Sequence, residues 1–266
     1  MRYLPVLLIQ ILILPLSAQE PESAKLLLEQ TIQAIDEIQT ISYRQHMTRS
    51  NPRNSAEIIN DTREMVLSRL PEDSIVGAKG HWYFLTPDEK GLRYEDIFDG
   101  KRLIRLNHNA KAARVYDLTE YPEFLEQPFW SHQTPYTLQY MLRFTLDNLS
   151  AYTLTRLKDT LINEQTCFQV QIRLEDKESM PGFMADIQPS PGNVSLLTFF
   201  LDPNSHYPLQ VNLDNYTRQD PDNKFFTHQR YTDFRFNVAI EARIFDTSEA
   251  ATEGFEVQMM LPKNKP

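Results

Sequence analysis

Residues 92–107 read LRYEDIFDGKRLIRLN, two strand-like runs on either side of Asp99-Gly100. Glycine tolerates the positive φ that a tight turn needs, so this pair between EDIF and KRLIRL predicts a hairpin with strands over Leu92 to Phe98 and Arg102 to Asn107. Working outward, similar runs precede it at Ala56 to Leu70 and His81 to Leu85 and follow it at Ala112 to Leu118, after a looser reversal at His108 to Lys111. Upstream, Ile41, Tyr43, Gln45 and Met47 alternate with Ser42, Arg44, His46 and Thr48, the period of a strand. Downstream, strands are expected at Ala151 to Lys158, Thr166 to Leu174, Val194 to Asp202, Pro208 to Arg218 and Phe225 to Ile240, with a last one at Phe255 to Leu261.

Two segments depart from this period. Glu22 to Thr40 places Leu28, Ile32, Ile35 and Ile38 at intervals of three and four behind a Ser23 N-cap, which predicts an amphipathic helix. Tyr136 to Leu146 does the same with Leu138, Met141, Leu142 and Thr145, after a Pro-broken aromatic stretch. Because the strands otherwise follow one another without helices between them, the expected class is α+β with an antiparallel sheet. Lys177 to Gly192 mixes prolines and glycines with Met180, Phe183, Met184 and Ile187, which suggests an apolar flap, and Asp246 to Gly254 reads as a loosely held connection.

The first residues have the form of a cleavable signal peptide over residues 1–18. Arg2 is followed by the apolar run Leu4 to Leu16 and by Leu16-Ser17-Ala18 at the expected cut, so residues 19–266 are expected to form one exported domain, periplasmic or secreted. That run is too short and too broken by Pro5, Gln10 and Pro15 to span a bilayer, and no later segment reads as a span. A formal charge of −9 argues against a nucleic-acid partner, whose affinity is built from clustered Lys and Arg. Cys167 stands alone, so no internal disulfide supports the fold; the alternation around it reads as an inert strand thiol.

Motifs that carry chemistry are missing. The six histidines are scattered without ligand spacing, and no nucleophile elbow, phosphate loop or dinucleotide fingerprint is present. No cofactor, metal or catalytic residue is therefore expected. What remains is a surplus of large apolar residues on strands: Trp82 and Phe84; Phe98, Ile104 and Leu106; Leu197, Phe199 and Leu201; Leu209, Val211 and Leu213; and Phe234, Phe236, Val238 and Ile240. Two helices have less apolar face than such a sheet, so part of these residues either fills a core or lines a groove.

The order of elements resembles the LolA-like superfamily of exported lipoprotein carriers and related envelope proteins. The resemblance rests on the helix AKLLLEQTIQAIDEIQTI, the following SYRQHMTR, the turn FDGKRLIRL and the late hairpin FFLDPNSHYPLQVNL, and covers roughly residues 22–240. It implies a strongly curved antiparallel sheet, a half-open β-barrel, with two main helices packed on its concave side. By that resemblance Trp82, Phe84, Phe98, Ile104, Leu106, Leu197, Phe199, Val211, Leu213, Phe234 and Phe236 would line an apolar cavity, with Met180, Phe183 and Met184 in the flap. The partner implied is an apolar ligand such as a lipid or a lipoprotein acyl chain; the alternative is an envelope sensor or protein-interaction module with no cargo.

Overall fold

A computed structural model of the chain describes residues 21–51, 54–73, 76–122, 124, 134–175 and 192–262. The expected signal peptide and the flap residues Met180, Phe183 and Met184 lie outside these. Helix α1 (Pro21–Asp36) leads into strands β1 (Thr40–Asn51), β2 (Asn54–Arg69), β3 (Ala78–Leu85), β4 (Leu92–Phe98), β5 (Arg102–Asn107) and β6 (Ala112–Asp117). Helix α2 (Pro135–Asp147) then precedes β7 (Thr153–Ile162), β8 (Gln165–Glu175), β9 (Asn193–Leu201), β10 (Pro208–Thr217) and β11 (Asp220–Phe236), and β12 (Glu256–Met259) comes last.

All twelve strands form one open sheet in the order β12-β6-β5-β4-β3-β2-β1-β11-β10-β9-β8-β7. Two meanders, β1 to β6 and β7 to β11, are joined along a seam where β1 pairs antiparallel with β11, with Gln45 opposite Tyr231 and Met47 opposite Gln229. Among the described strands only β12 runs parallel to its neighbour, β6. The turns are built as their residues demand. Gly100 takes φ 99° while Asp99 Oδ1 accepts from the Lys101 and Arg102 amides, which closes the hairpin that the sequence predicts. Between β9 and β10, Asp202 Oδ1 accepts from the Asn204 and Ser205 amides and His206 adopts φ 56°.

Both helices pack on one face of the sheet. Ala24, Leu28 and Ile32 of α1 and Leu138, Met141 and Leu142 of α2 meet Val170, Ile172, Leu197, Phe199 and Val211 from β8 to β10. Farther along the same face Ile35, Ile41, Tyr43, Met65, Leu67, Trp82, Phe98, Leu103 and Tyr116 form a second cluster with Tyr136. A smaller third cluster lies on the opposite face, where Ile97, Ile104, Leu106, Ala113 and Val115 are covered by Ala251 and Phe255.

Several boundaries differ from expectation for identifiable reasons. Helix α1 stops at Asp36 rather than Thr40; Ile38 keeps its apolar spacing through a turn in which its amide donates to the Ile35 carbonyl, and Thr40 already belongs to β1. Strand β11 stops at Phe236 rather than Ile240, because Asn237 turns to φ 52° and its side chain bonds Gln39 N and Glu37 O. Residues 246–254, expected to be loosely held, include a 3-10 turn at Glu249–Thr252, and Thr247 and Thr252 are buried against the sheet. Ile104 and Leu106 do not share a face with Phe98. Phe98 pairs with Leu103 and Ile97 with Ile104, and the two-residue period then sends Ile104 and Leu106 to the face away from the helices.

Candidate functional site

On the helix face a cavity opens where α2 crosses the seam and the second meander. Leu138 and Met141 of α2, Leu197 of β9, and Val211 and Leu213 of β10 make its apolar wall, with Pro135 and Pro208 at its rims. Tyr43, Tyr207, Gln229, Tyr231, Thr134 and Thr227 add a polar side, and no charged residue among those described lines it. Its volume is about 20 Å³, room for about one water molecule.

Part of the polar side is committed internally. Gln229 Oε1 accepts from Gln45 Nε2 at 2.6 Å and from Tyr231 Oη at 3.0 Å, and Thr134 Oγ1 donates to the Val76 carbonyl at 2.9 Å. Tyr43 differs in that its hydroxyl is both buried and unpaired. Its side chain stands edge-on to Tyr231 (ring centroids 5.6 Å apart) and beside Phe234 (6.0 Å), and its hydroxyl has no hydrogen-bond partner among the described residues. Burial holds the Tyr43 phenol well above its ordinary pKa, neighbouring Tyr231 and Tyr136 add to this, and Arg63 opposes it; the group therefore remains a neutral donor. Gln45 Oε1 also lacks a partner, but Gln45 lies outside the lining.

Of the residues expected in a cavity, Leu197, Val211 and Leu213 line it. Phe199 is buried one register away in the core beneath the helices. Trp82 and Phe98 are filled core, and Phe84 lies against them under the Arg63 guanidinium, 4.6 Å above its ring. Phe234 packs on Tyr207 at 5.0 Å and stacks on Phe236, which is half-exposed at the end of β11. Sequence reasoning did not assign Tyr43, Tyr207, Gln229 or Tyr231 to the site. The alternation that put Ile41, Tyr43, Gln45 and Met47 on one face carried the signal for Tyr43, but a tyrosine beside a glutamine reads as an ordinary half-buried strand.

The far face carries a wider groove of about 530 Å³, between β5, β6 and the C-terminal segment, with Ile104, Val115, Val257 and Met259 as its apolar part and Arg102, Thr247 and Glu249 among its polar residues. Beside it Glu95 joins two histidines: His81 Nε2 lies 2.6 Å from Oε2 and His108 Nε2 lies 2.6 Å from Oε1. His81 Nδ1 also donates to the Ile244 carbonyl at 3.1 Å, which ties the C-terminal segment to β3. No group of three or more ligand-type side chains arranged for a metal occurs among the described residues. Cys167 is a buried free thiol whose pKa is raised by burial.

An open, mostly antiparallel twelve-stranded sheet with two helices on one face places the chain in the α+β class. Several solved structures align with most of this chain at low sequence identity. They include lipoprotein LppX of Mycobacterium tuberculosis, 10% identical over 84% of this chain and 100% of that one, with a TM-score of 0.49. LprF of Mycobacterium bovis is 10% identical over 85% and 98%, with a TM-score of 0.49. MucB in the MucA/MucB complex of Pseudomonas aeruginosa is 13% identical over 85% of this chain and 61% of that one, with a TM-score of 0.43. No protein-family profile matches the chain and no curated protein matches it in sequence. Among the described residues no helix is long and apolar enough to cross a membrane.

Proposed function

We propose that the protein is an exported, non-enzymatic binding protein of the bacterial envelope that takes a lipid, a lipoprotein acyl chain or another apolar ligand between α2 and the sheet. The observation that carries this reading is a cavity with an apolar wall and no charged lining residue among those described, roofed by α2 (Leu138, Met141) and floored by Leu197, Val211 and Leu213. The face bearing both helices is read as the concave one, and the export signal as residues 1–18. Each buried CH₂ of an acyl chain contributes about 0.8 kcal/mol, so apolar contact alone supports reversible capture. Since the cavity has room for only about one water, uptake requires α2 to move off the sheet, with Met180, Phe183 and Met184 as flap residues that follow it.

Protein purified from a periplasm without detergent should carry a stoichiometric lipid in its organic extract or, if empty, take up a fluorescent fatty acid. Leu213→Arg, which puts a cation in the apolar wall, should lower that uptake at least tenfold. An empty extract together with no uptake by the unaltered protein would discard the carrier reading. The second reading, an interaction module without cargo, is favoured by one observation: Val257, Met259 and Leu261, at and beyond strand β12, are 49%, 56% and 67% exposed beside the groove. Replacing all three by Ser should leave ligand uptake unchanged under the first reading.

A further inference from the structure

The geometry points to Tyr43 as the residue that recognises the head of the ligand, its hydroxyl donating to the carbonyl oxygen of an ester- or amide-linked acyl group. This rests on the proposed binding function and narrows its ligand class. Tyr43 is 4% exposed and lines the cavity, and its hydroxyl is shielded from solvent without a partner among the described residues. A buried hydroxyl left unpaired is costly, so such a group at a cavity wall is satisfied when the cavity is filled by something that accepts.

The surrounding atoms decide what that is. Gln229 Oε1 is already used twice, by Gln45 and Tyr231, and the Thr134 hydroxyl is spent on the Val76 carbonyl. A charged head would be poorly received, because among the described residues no side chain charged at neutral pH lines the cavity. The buried, unpaired hydroxyl of Tyr43 is thus a neutral donor beside an apolar wall, which is complementary to a neutral carbonyl at the start of a hydrocarbon chain. Esters of glycerolipids and the amide of an N-acylated protein both present that carbonyl.

The test compares 1-palmitoyl-lysophosphatidylcholine with its 1-O-hexadecyl ether, which keeps the chain and headgroup and lacks only the carbonyl. Wild-type protein should bind the ester about 5- to 30-fold more tightly than the ether. In Tyr43→Phe the preference should disappear while ether binding is retained, and the ligand-free variant should melt no lower than wild type, since it loses an unpaired hydroxyl and no hydrogen bond. An N-palmitoyl dipeptide distinguishes the sources: if its affinity falls on Tyr43→Phe by more than that of the ester, the natural ligand is an acylated protein, and if by less, a glycerolipid. Equal binding of ester and ether by wild type, as expected if a water molecule serves the hydroxyl, overturns this inference and leaves the carrier reading standing. Binding of none of these probes overturns both.

Discussion

Single residues in the core of the first meander are constrained by shape and charge in ways that give measurable costs. Gly80 and Trp82 lie two apart on one face of β3, and the indole folds back so that a Cβ at position 80 would run into its six-membered ring. Gly80→Ala should therefore destabilise by about 1–3 kcal/mol in urea unfolding. Paired with Trp82→Leu, it should cost less than the two single changes summed, because the clash needs both groups. Asp96, opposite Trp82 in the next strand, is fully buried and holds Arg105 through both carboxylate oxygens, at 2.7 and 2.5 Å. Asp96→Ala removes the carboxylate that holds the Arg105 guanidinium and should lower stability by about 1.5–3 kcal/mol. A glycine at an ordinary strand position gave no hint in sequence of why it is glycine. Its reason is a ring two residues away, which only the folded register brings over it.

Elements were more legible than residues, because period survives where packing detail does not. The hairpin at Asp99-Gly100 follows from local turn chemistry, and both helices follow from apolar spacing. Their ends were less legible, since Ile38 and Val238 extend a pattern past the point where the backbone turns. The start of α2 is marked by a capping box in which Thr134 Oγ1 accepts from Thr137 N and the Thr137 hydroxyl accepts from Thr134 N. Thr134→Ala should cost about 1 kcal/mol; if α2 is the roof of the cavity, ligand entry should also quicken, as stopped-flow uptake of a fluorescent fatty acid would register. The C-terminal segment is held partly by charge. Burial raises the Glu95 pKa, but hydrogen bonds and charges from His81 and His108 outweigh it and leave the carboxyl below its usual 4.5. A depressed folded value means the contribution to stability is complete above the ordinary glutamate range and is lost as pH falls through the folded value. Wild type should accordingly lose more stability than Glu95→Gln when titrated from pH 5 downward, and equal slopes would show that this cluster does not anchor the segment.

At the scale of the whole molecule, the sheet is apolar on both sides over β4 to β6, and that is what the sequence conceals. Strand β5 carries Leu103 toward the helices and Ile104 and Leu106 away from them, so an apolar run that reads as one surface divides between two cores. The seam is equally hidden: β1 meets β11 across nearly the whole chain, and it brings Tyr43 and Gln45 beside Gln229 and Tyr231 by a pairing no local pattern announces. Cavity and groove consequently lie on opposite faces, and a substitution on one face can separate them. Ile104 is buried in the far cluster and reaches the groove but not the cavity. Ile104→Ala should therefore cost about 2–5 kcal/mol of stability, the usual range for an isoleucine truncated in a packed core. Its affinity for a fluorescent fatty acid, measured where the variant remains folded, should stay within about twofold of wild type, because sites without shared partners behave additively. If affinity instead falls in step with that of Leu213→Arg, the ligand sits in the groove beneath the C-terminal segment, and the role of α2 as its roof is excluded.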